Sequence, residues 1–237
     1  MLPNVQKPLT GLSLSPCYCS DGVKFMIRYL YADQLDETPK LRDSMFRDRA
    51  WQFRQRLNWQ VNVDARGFER DQYDDENPLY VIHQLADGSH GGSMRFLPTT
   101  GPTMVNDHFL DLTNGVAFKS PLIWECTRFC QSPRSDAAAR VSARLMLAAA
   151  ELGRQFSLDH AVGVFDARMV RVYRAMGWAP ELLGQQGEGA DAIGVGLWEF
   201  SRAPFHRLNA RAGVRDGTAG RWLRQAFQSA GQVELIA

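Results

Sequence analysis

At 237 residues with 45% hydrophobic content, the chain is long enough to bury a core of its own, and one domain is expected. Its formal charge of +1, from 27 basic and 26 acidic side chains, supplies no overall field for nucleic acid or an anionic membrane surface. A run of about 18 apolar residues, as a membrane span needs, is missing, and the amino terminus has no cationic start ahead of an apolar core, so the expected compartment is the cytoplasm. The four cysteines, Cys17, Cys19, Cys126 and Cys130, lack the paired spacing and neighbouring histidines of a zinc site. They read as reduced thiols, with no metal and no cofactor implied.

In chain order, residues 1–23 follow neither the helical nor the strand period and read as a loosely ordered extension. Lys24 to Leu30 is the first strand. Thr38-Pro39 supplies a cap residue and a proline at the first helical position. Phe46, Ala50, Phe53 and Leu57 then recur on one face, which predicts a helix from Pro39 to Leu57. Asn62 to Asn77 is a polar loop, long enough to suspect a function. Leu79 to Leu85 and Gly91 to Leu97 form a hairpin about Asp87-Gly88, and Arg95 in its second strand is either an edge charge or a member of a buried ion-pair group.

Pro98 to Ser120 reads as a surface excursion with a helical turn near His108 to Leu112, His108 being a loop histidine. Leu122 to Cys130 is a strand that contains Glu125 and Arg128. Three apart, these two would point to opposite faces of a regular strand, so a common site requires a β-bulge between or beside them. A helix from Asp136, its cap, to Gln155, a strand from His160 to Phe165 and a helix from Ala167 to Met176 stopped by Gly177 follow. Strands near Trp178 to Leu183 and Ala192 to Phe200 complete a domain over 24–200, and 201–237, with one helical stretch at Ala219 to Ser229, reads as an extension packed on or near it.

This order resembles the acetyltransferase-like (GNAT) fold, an α/β three-layer αβα sandwich around a mixed, mostly antiparallel twisted sheet. The phosphate-binding Arg/Gln-x2-Gly-x-Gly turn of its coenzyme A-dependent members is missing; the stretch here is Gln131-Ser-Pro-Arg-Ser-Asp-Ala. A fold of this kind hints at acyl transfer without dictating it.

Two halves of a pattern are more specific. Met45-x-Arg47-x-Arg49-x3-Phe53-x2-Arg56-x2-Trp59 is followed by Glu69-x-Asp71-x2-Asp74, and later by Gly92-Ser-Met-Arg95-Phe and Trp124-Glu125-x2-Arg128-Phe129. Together they resemble the signature of the LuxI-type acyl-homoserine-lactone synthases at Arg49, Phe53, Trp59, Asp71, Asp74, Arg95, Glu125 and Arg128. The interval from Trp59 to Asp71 is one residue longer than in that family, a change that a loop accommodates.

The resemblance implies a reaction between an acylated acyl carrier protein, or acyl-coenzyme A, and S-adenosylmethionine, which is a substrate here. The α-amine takes the acyl group, the carboxylate closes a lactone, and methylthioadenosine leaves. Glu125 is then the candidate base, held and tuned by Arg128. Arg49, Asp71, Asp74 and Arg95 would form a charge cluster that presents carboxylate to the substrate, with Asp74 favoured as a purely structural member. Phe53 and Trp59 would shelter the sulfonium or adenine.

The acyl tail would enter between the strands of Phe129 and Gly163, with Met146 as a wall. A family threonine at the position of Gly163 goes with 3-oxo chains, so glycine, by making room, points to unsubstituted or 3-hydroxy chains. Arg134, Arg140, Arg144, Arg168, Arg171 and Arg174 are candidate charges for an acidic carrier. A monomer or weak dimer is expected, without nucleic acid or membrane partners. The competing readings are a GNAT-like N-acyltransferase that uses acyl-coenzyme A on another amine, and an inactive binding module.

Overall fold

Alternation along one central strand, Leu79–Leu85, divides the molecule into two faces: Leu79 and Val81 point to one hydrophobic core and Tyr80 and Ile82 to another. The computed structural model describes residues 17–18, 24–135, 137–189 and 192–234. The extension read over 1–23 therefore lies outside the described residues, except that Cys17–Tyr18 forms a short strand, β1, paired with the next one. The remaining strands are β2 (Lys24–Tyr31), β3 (Leu79–Leu85), β4 (His90–Pro98), β5 (Ile123–Gln131), β6 (His160–Asp166), β7 (Glu181–Gln186) and β8 (Ile193–Glu199). They form one sheet in the order β1-β2-β3-β4-β5-β6-β8-β7, antiparallel throughout except for the β5–β6 pair.

One face carries α3 (Ala138–Gln155), against which α5 (Phe205–Ala212) and α6 (Thr218–Glu234) pack, with α4 (Ala167–Met176) beside β6. The other carries α1 (Pro39–Ala50) over the β3–β5 region, its Leu41, Met45 and Phe46 meeting Tyr80 and Ile82. The result is the GNAT-like three-layer arrangement. Along β6 and β8 that second face is closed by the excursion after β4. Its Val105 and Leu112 cover Val162 and Val195. The excursion folds as α2 (Met104–His108) and a 3-10 turn (Leu110–Thr113), starting four residues before the predicted turn. Among the described residues no helix is long and apolar enough to cross a membrane.

Several boundaries differ from the sequence expectation for identifiable reasons. The helix predicted to Leu57 is α-helical only to Ala50 and continues as a π-turn over Trp51–Arg56. Thr38 precedes Pro39 as expected, but its hydroxyl donates to the Leu35 carbonyl instead of capping the helix. The strand expected at Trp178 to Leu183 starts at Glu181: Trp178 is buried and donates its indole N–H to the Glu199 carbonyl, and Pro180 lacks an N–H for the ladder. The α3 cap predicted at Asp136 lies outside the described residues. Helix α5 is additional to the elements expected from the sequence. It is tied down by Arg144, whose Nε donates to the Ala212 carbonyl (3.1 Å) while its guanidinium lies 3.8 Å from the Phe25 ring centroid. That contact corrects the surface role expected of Arg144: the side chain is buried and unavailable for docking.

Candidate active site

The π-turn sets the first part of the site. Widening the last turn of the helix lets the Trp59 N–H donate to the Phe53 carbonyl at 2.8 Å, with Asn58 in the left-handed region at φ 55° to reverse the chain. Trp59 is thereby folded onto Phe53, ring centroids 5.3 Å apart and planes 12° from parallel. The buried Phe53 ring in turn faces the Arg128 guanidinium at 5.4 Å. A partly exposed indole, a buried phenyl and a cation thus form a continuous stack.

The second part is a charge-balanced cluster of three arginines and three carboxylates. Arg49 reaches Glu69 Oε2 (2.6 Å) and, through both terminal nitrogens, Asp74 (2.9 Å each). Arg95 donates to Asp71 and to Asp74 (2.8 Å), and its Nε to the Thr127 hydroxyl (3.0 Å). Arg128 bridges Glu69 (2.9 Å) and Asp71 (2.6 Å). Arg49 and Arg95 are inaccessible to solvent, whereas the Asp71 and Arg128 side chains keep 14% and 12% exposure and form the rim. Burial raises the Asp74 carboxyl, but the charges of Arg49 and Arg95 more than offset it and hold the group well below the usual range; Asp71 is held low in the same way by Arg95 and Arg128.

Asp74 also accepts from the Tyr80 hydroxyl and the Asp71 N–H, which uses its lone pairs on protein donors. Its geometry is that of a brace for the Glu69–Asp74 loop rather than of a substrate contact. Glu69, Tyr80 and Thr127 were given no role from sequence. Glu69 stands in the Glu69-x-Asp71-x2-Asp74 pattern, the one signal that points to it; its place as third carboxylate follows from Arg128 joining Arg49 and Arg95 instead of Glu125.

The expected bulge is present. Ser93 pairs with Cys130 and Arg95 with Thr127, so β5 spends one more residue than β4 between these pairs, and Arg128 takes φ 53°. A non-glycine residue in that region costs about 1 kcal/mol or more. The bulge delivers Arg128 to the ion cluster. It does not deliver it to Glu125, and this corrects the expected pairing: both Glu125 oxygens instead accept main-chain N–H groups of α2, Met104 at 3.1 Å and Val105 at 2.6 Å. With the nearby arginines committed elsewhere, burial dominates. It raises the Glu125 carboxyl to about 7 against the opposing pull of those two N–H groups and of the Arg95 charge.

The third part is an apolar slot. Pairing of β5 with β6 covers only Ile123–Glu125 and His160–Val162; beyond these residues the two strands part. The gap opens a narrow apolar cavity walled by Phe129, Met146 and Gly163 together with Cys126, Arg128, Tyr173, Trp178 and Trp198. The three residues singled out for an acyl tail share this one cavity. Neither Trp59 nor Glu125 lines it; Arg128, which faces Phe53, stands at its edge.

Gly163 does not leave the spare room expected of it, because a Cβ there would sit 2.9 Å from the Cys126 carbonyl oxygen and 3.3 Å from the Trp198 ring. Gly163→Ala is expected to lower stability by about 1–3 kcal/mol through this overpacking, read from urea unfolding. An unchanged midpoint would show that the wall yields.

Behind the bulge, Asp48, His90 and Ser93 form a carboxylate–imidazole–hydroxyl chain at 2.8 and 3.0 Å, with Arg134 donating two bonds to Asp48 at 3.0 and 2.8 Å. All three are at most 2% exposed. The chain resembles a hydrolytic triad only in composition; it braces α1 and the β5–α3 connection against β4, where Ser93 is the last paired residue before the bulge.

Comparison with known proteins bears on the family and the fold. The family model described as autoinducer synthase matches residues 33–208. An acyl-homoserine-lactone synthase of Rhizobium etli is 40% identical over 192 residues, 78% of this chain and 89% of the relative. Among solved structures, the AHL synthase LasI superposes with a TM-score of 0.69 at 25% identity, over 82% of this chain and 100% of that one. The CoA-dependent acyl-homoserine lactone synthase BjaI, solved with SAM and isopentyl-CoA, superposes with a TM-score of 0.71 at 22% identity, over 84% and 98%, a likeness of fold.

Proposed function

The chain belongs to the LuxI-type autoinducer, or acyl-homoserine-lactone, synthase family, and from that premise we propose that it joins S-adenosylmethionine to an acyl group delivered as an acyl carrier protein thioester. The observation that carries the reading is the convergence at Arg128 of the aromatic stack, the ion cluster and the mouth of the apolar slot.

Chemistry assigns the steps. The substrate α-ammonium, with a reference pKa near 8, must lose a proton before it attacks. Glu125, with a carboxyl raised to about 7, takes that proton directly or through one water. The amine nitrogen bonds to the thioester carbonyl carbon, the carbon–sulfur bond breaks, and the carrier thiol leaves with a proton. Main-chain N–H groups of β5 beyond its last pair with β6 are the candidate donors to the passing oxyanion. The substrate carboxylate then attacks its own γ-carbon, the bond to the sulfonium breaks, and neutral methylthioadenosine departs as the lactone closes. Trp59 and Phe53 offer a π-face to the sulfonium or adenine, and the slot takes the tail.

Two features favour a carrier protein over free coenzyme A. The stretch before α3 lacks a glycine cradle, and its Arg134 is engaged by Asp48 rather than turned to the helix terminus. Beside it, α4 exposes Arg168, Arg171 and Arg174 to an acidic partner. The deciding experiment offers S-adenosylmethionine with the same acyl group on carrier protein and on coenzyme A. Lactone and methylthioadenosine in equal amounts, formed faster from the carrier thioester, are expected. Preference for coenzyme A would overturn the donor assignment, and acyl transfer without methylthioadenosine the reaction itself. Trp59→Ala is expected to weaken S-adenosylmethionine binding by roughly 5- to 30-fold, about 1–2 kcal/mol; equal affinity by calorimetry would remove the indole from the site.

A further inference from the structure

The slot between β5 and β6 holds two hydroxyls, and they differ in one respect. That of Thr127 accepts from Arg95 Nε at 3.0 Å. The Tyr173 hydroxyl, presented from α4, has no protein hydrogen-bond partner among the described residues. Apart from the weakly polar Cys126 thiol, the other polar side chains of the lining are engaged: the indole N–H groups of Trp178 and Trp198 donate to the carbonyls of Glu199 and Trp178, and Arg128 is held by Glu69 and Asp71. Tyr173 is itself 7% exposed, and its ring is fixed edge-on between Phe165 (5.6 Å) and Trp198 (5.0 Å). Buried tyrosine hydroxyls ordinarily find a partner, since an unmade hydrogen bond leaves the desolvation cost unrecovered. Among the described residues, the sealed, unpartnered polar side-chain atoms elsewhere are His83 Nδ1, Thr103 Oγ1 and Asn209 Oδ1. The Tyr173 hydroxyl is not one of these, as befits a group that opens onto a cavity.

Gly163 brings the second observation. The space in which a side chain at that position would offer a hydroxyl is occupied by the Trp198 ring and the Cys126 carbonyl, and the same indole packs against Tyr173. A polar handle for the tail therefore has to come from another wall.

We propose that Tyr173 is a specificity-determining residue of the acyl slot, donating a hydrogen bond to an oxygen substituent, hydroxyl or oxo, at C3 of the acyl chain. The inference rests on the reading of the slot as the acyl site and deepens it. A C3 oxygen completes the partnership that the protein leaves open, whereas an unsubstituted chain buries the hydroxyl unpaired. Discrimination comes from that difference. A 3-hydroxy group both accepts from the tyrosine and has a proton to donate onward; a 3-oxo group only accepts.

The test compares wild type with Tyr173→Phe on unsubstituted, 3-hydroxy and 3-oxo donors of equal chain length, by kcat/KM for methylthioadenosine release and by mass of the lactone. Wild type is expected to prefer an oxygenated donor, and the ratio of oxygenated to unsubstituted kcat/KM is expected to fall by about tenfold or more in the variant. The two oxygenated arms identify which substituent is read. Because the hydroxyl has no protein partner, the variant should keep or raise Tm, and a lower Tm would show a structural bond and overturn the proposal. An unchanged ratio would also overturn it while leaving the synthase reading intact. No lactone from any donor with wild type would overturn the synthase reading itself, and this inference with it.

Discussion

Glu125→Gln is expected to lower kcat by about 10²–10⁴-fold while the protein stays folded. The side chain is isosteric and keeps an acceptor for one of the two α2 N–H groups; its NH2 faces the other donor, which costs about 1–3 kcal/mol of stability, short of unfolding the domain. What is lost is the basic lone pair. The pH dependence separates the two roles. In the wild type the carboxyl, raised to about 7 by burial in the free enzyme, is protonated and inert as a base below that value and ionised above it, so kcat/KM should climb through a limb centred near pH 7. The variant should have low activity without that limb. If the limb persists in Glu125→Gln, another group accepts the proton, and Glu125 serves only to hold Met104 and Val105.

Arg49→Met is expected to destabilise the fold by about 3–5 kcal/mol, the largest stability effect foreseen for the site. Arg49 is wholly buried and supplies three of the bonds to Glu69 and Asp74, so its loss leaves two buried carboxylates short of charge and donors. Arg128→Met, which removes a rim guanidinium, should cost less stability and more activity. Denaturant unfolding of both variants decides the matter. Equal losses would mean that the cluster has no buried centre and rim.

How far the sequence discloses this site follows from the range of the interactions. The hairpin at the centre of the sheet was legible because alternation and turn chemistry are local: Leu79–Leu85, Asp87-Gly88 and the strand after it need only near neighbours to be read. The bulge at Arg128 was legible as a requirement, since two charges three apart on a strand serve one side only if the register slips. The partner of Arg128 was not. Nothing local tells a guanidinium whether it will meet Glu125, three residues away, or Glu69, 59 positions back across the fold. The π-turn at Trp51–Arg56 was hidden for a related reason: its apolar residues keep helical spacing, and the widened turn is fixed by Trp59 folding back onto Phe53. Helix α5 depends on Arg144 and α3, which sequence places far from it.

The measurement that most directly tests the account is a crystal structure with S-adenosylmethionine and an unreactive acyl thioester analogue bound together. The account predicts the sulfonium or adenine against Trp59 and Phe53, the amine within one water of Glu125, and the tail between β5 and β6 beside Gly163. Substrate seated instead in the outer groove between Arg47 and Arg54, or a tail outside the slot, would contradict it.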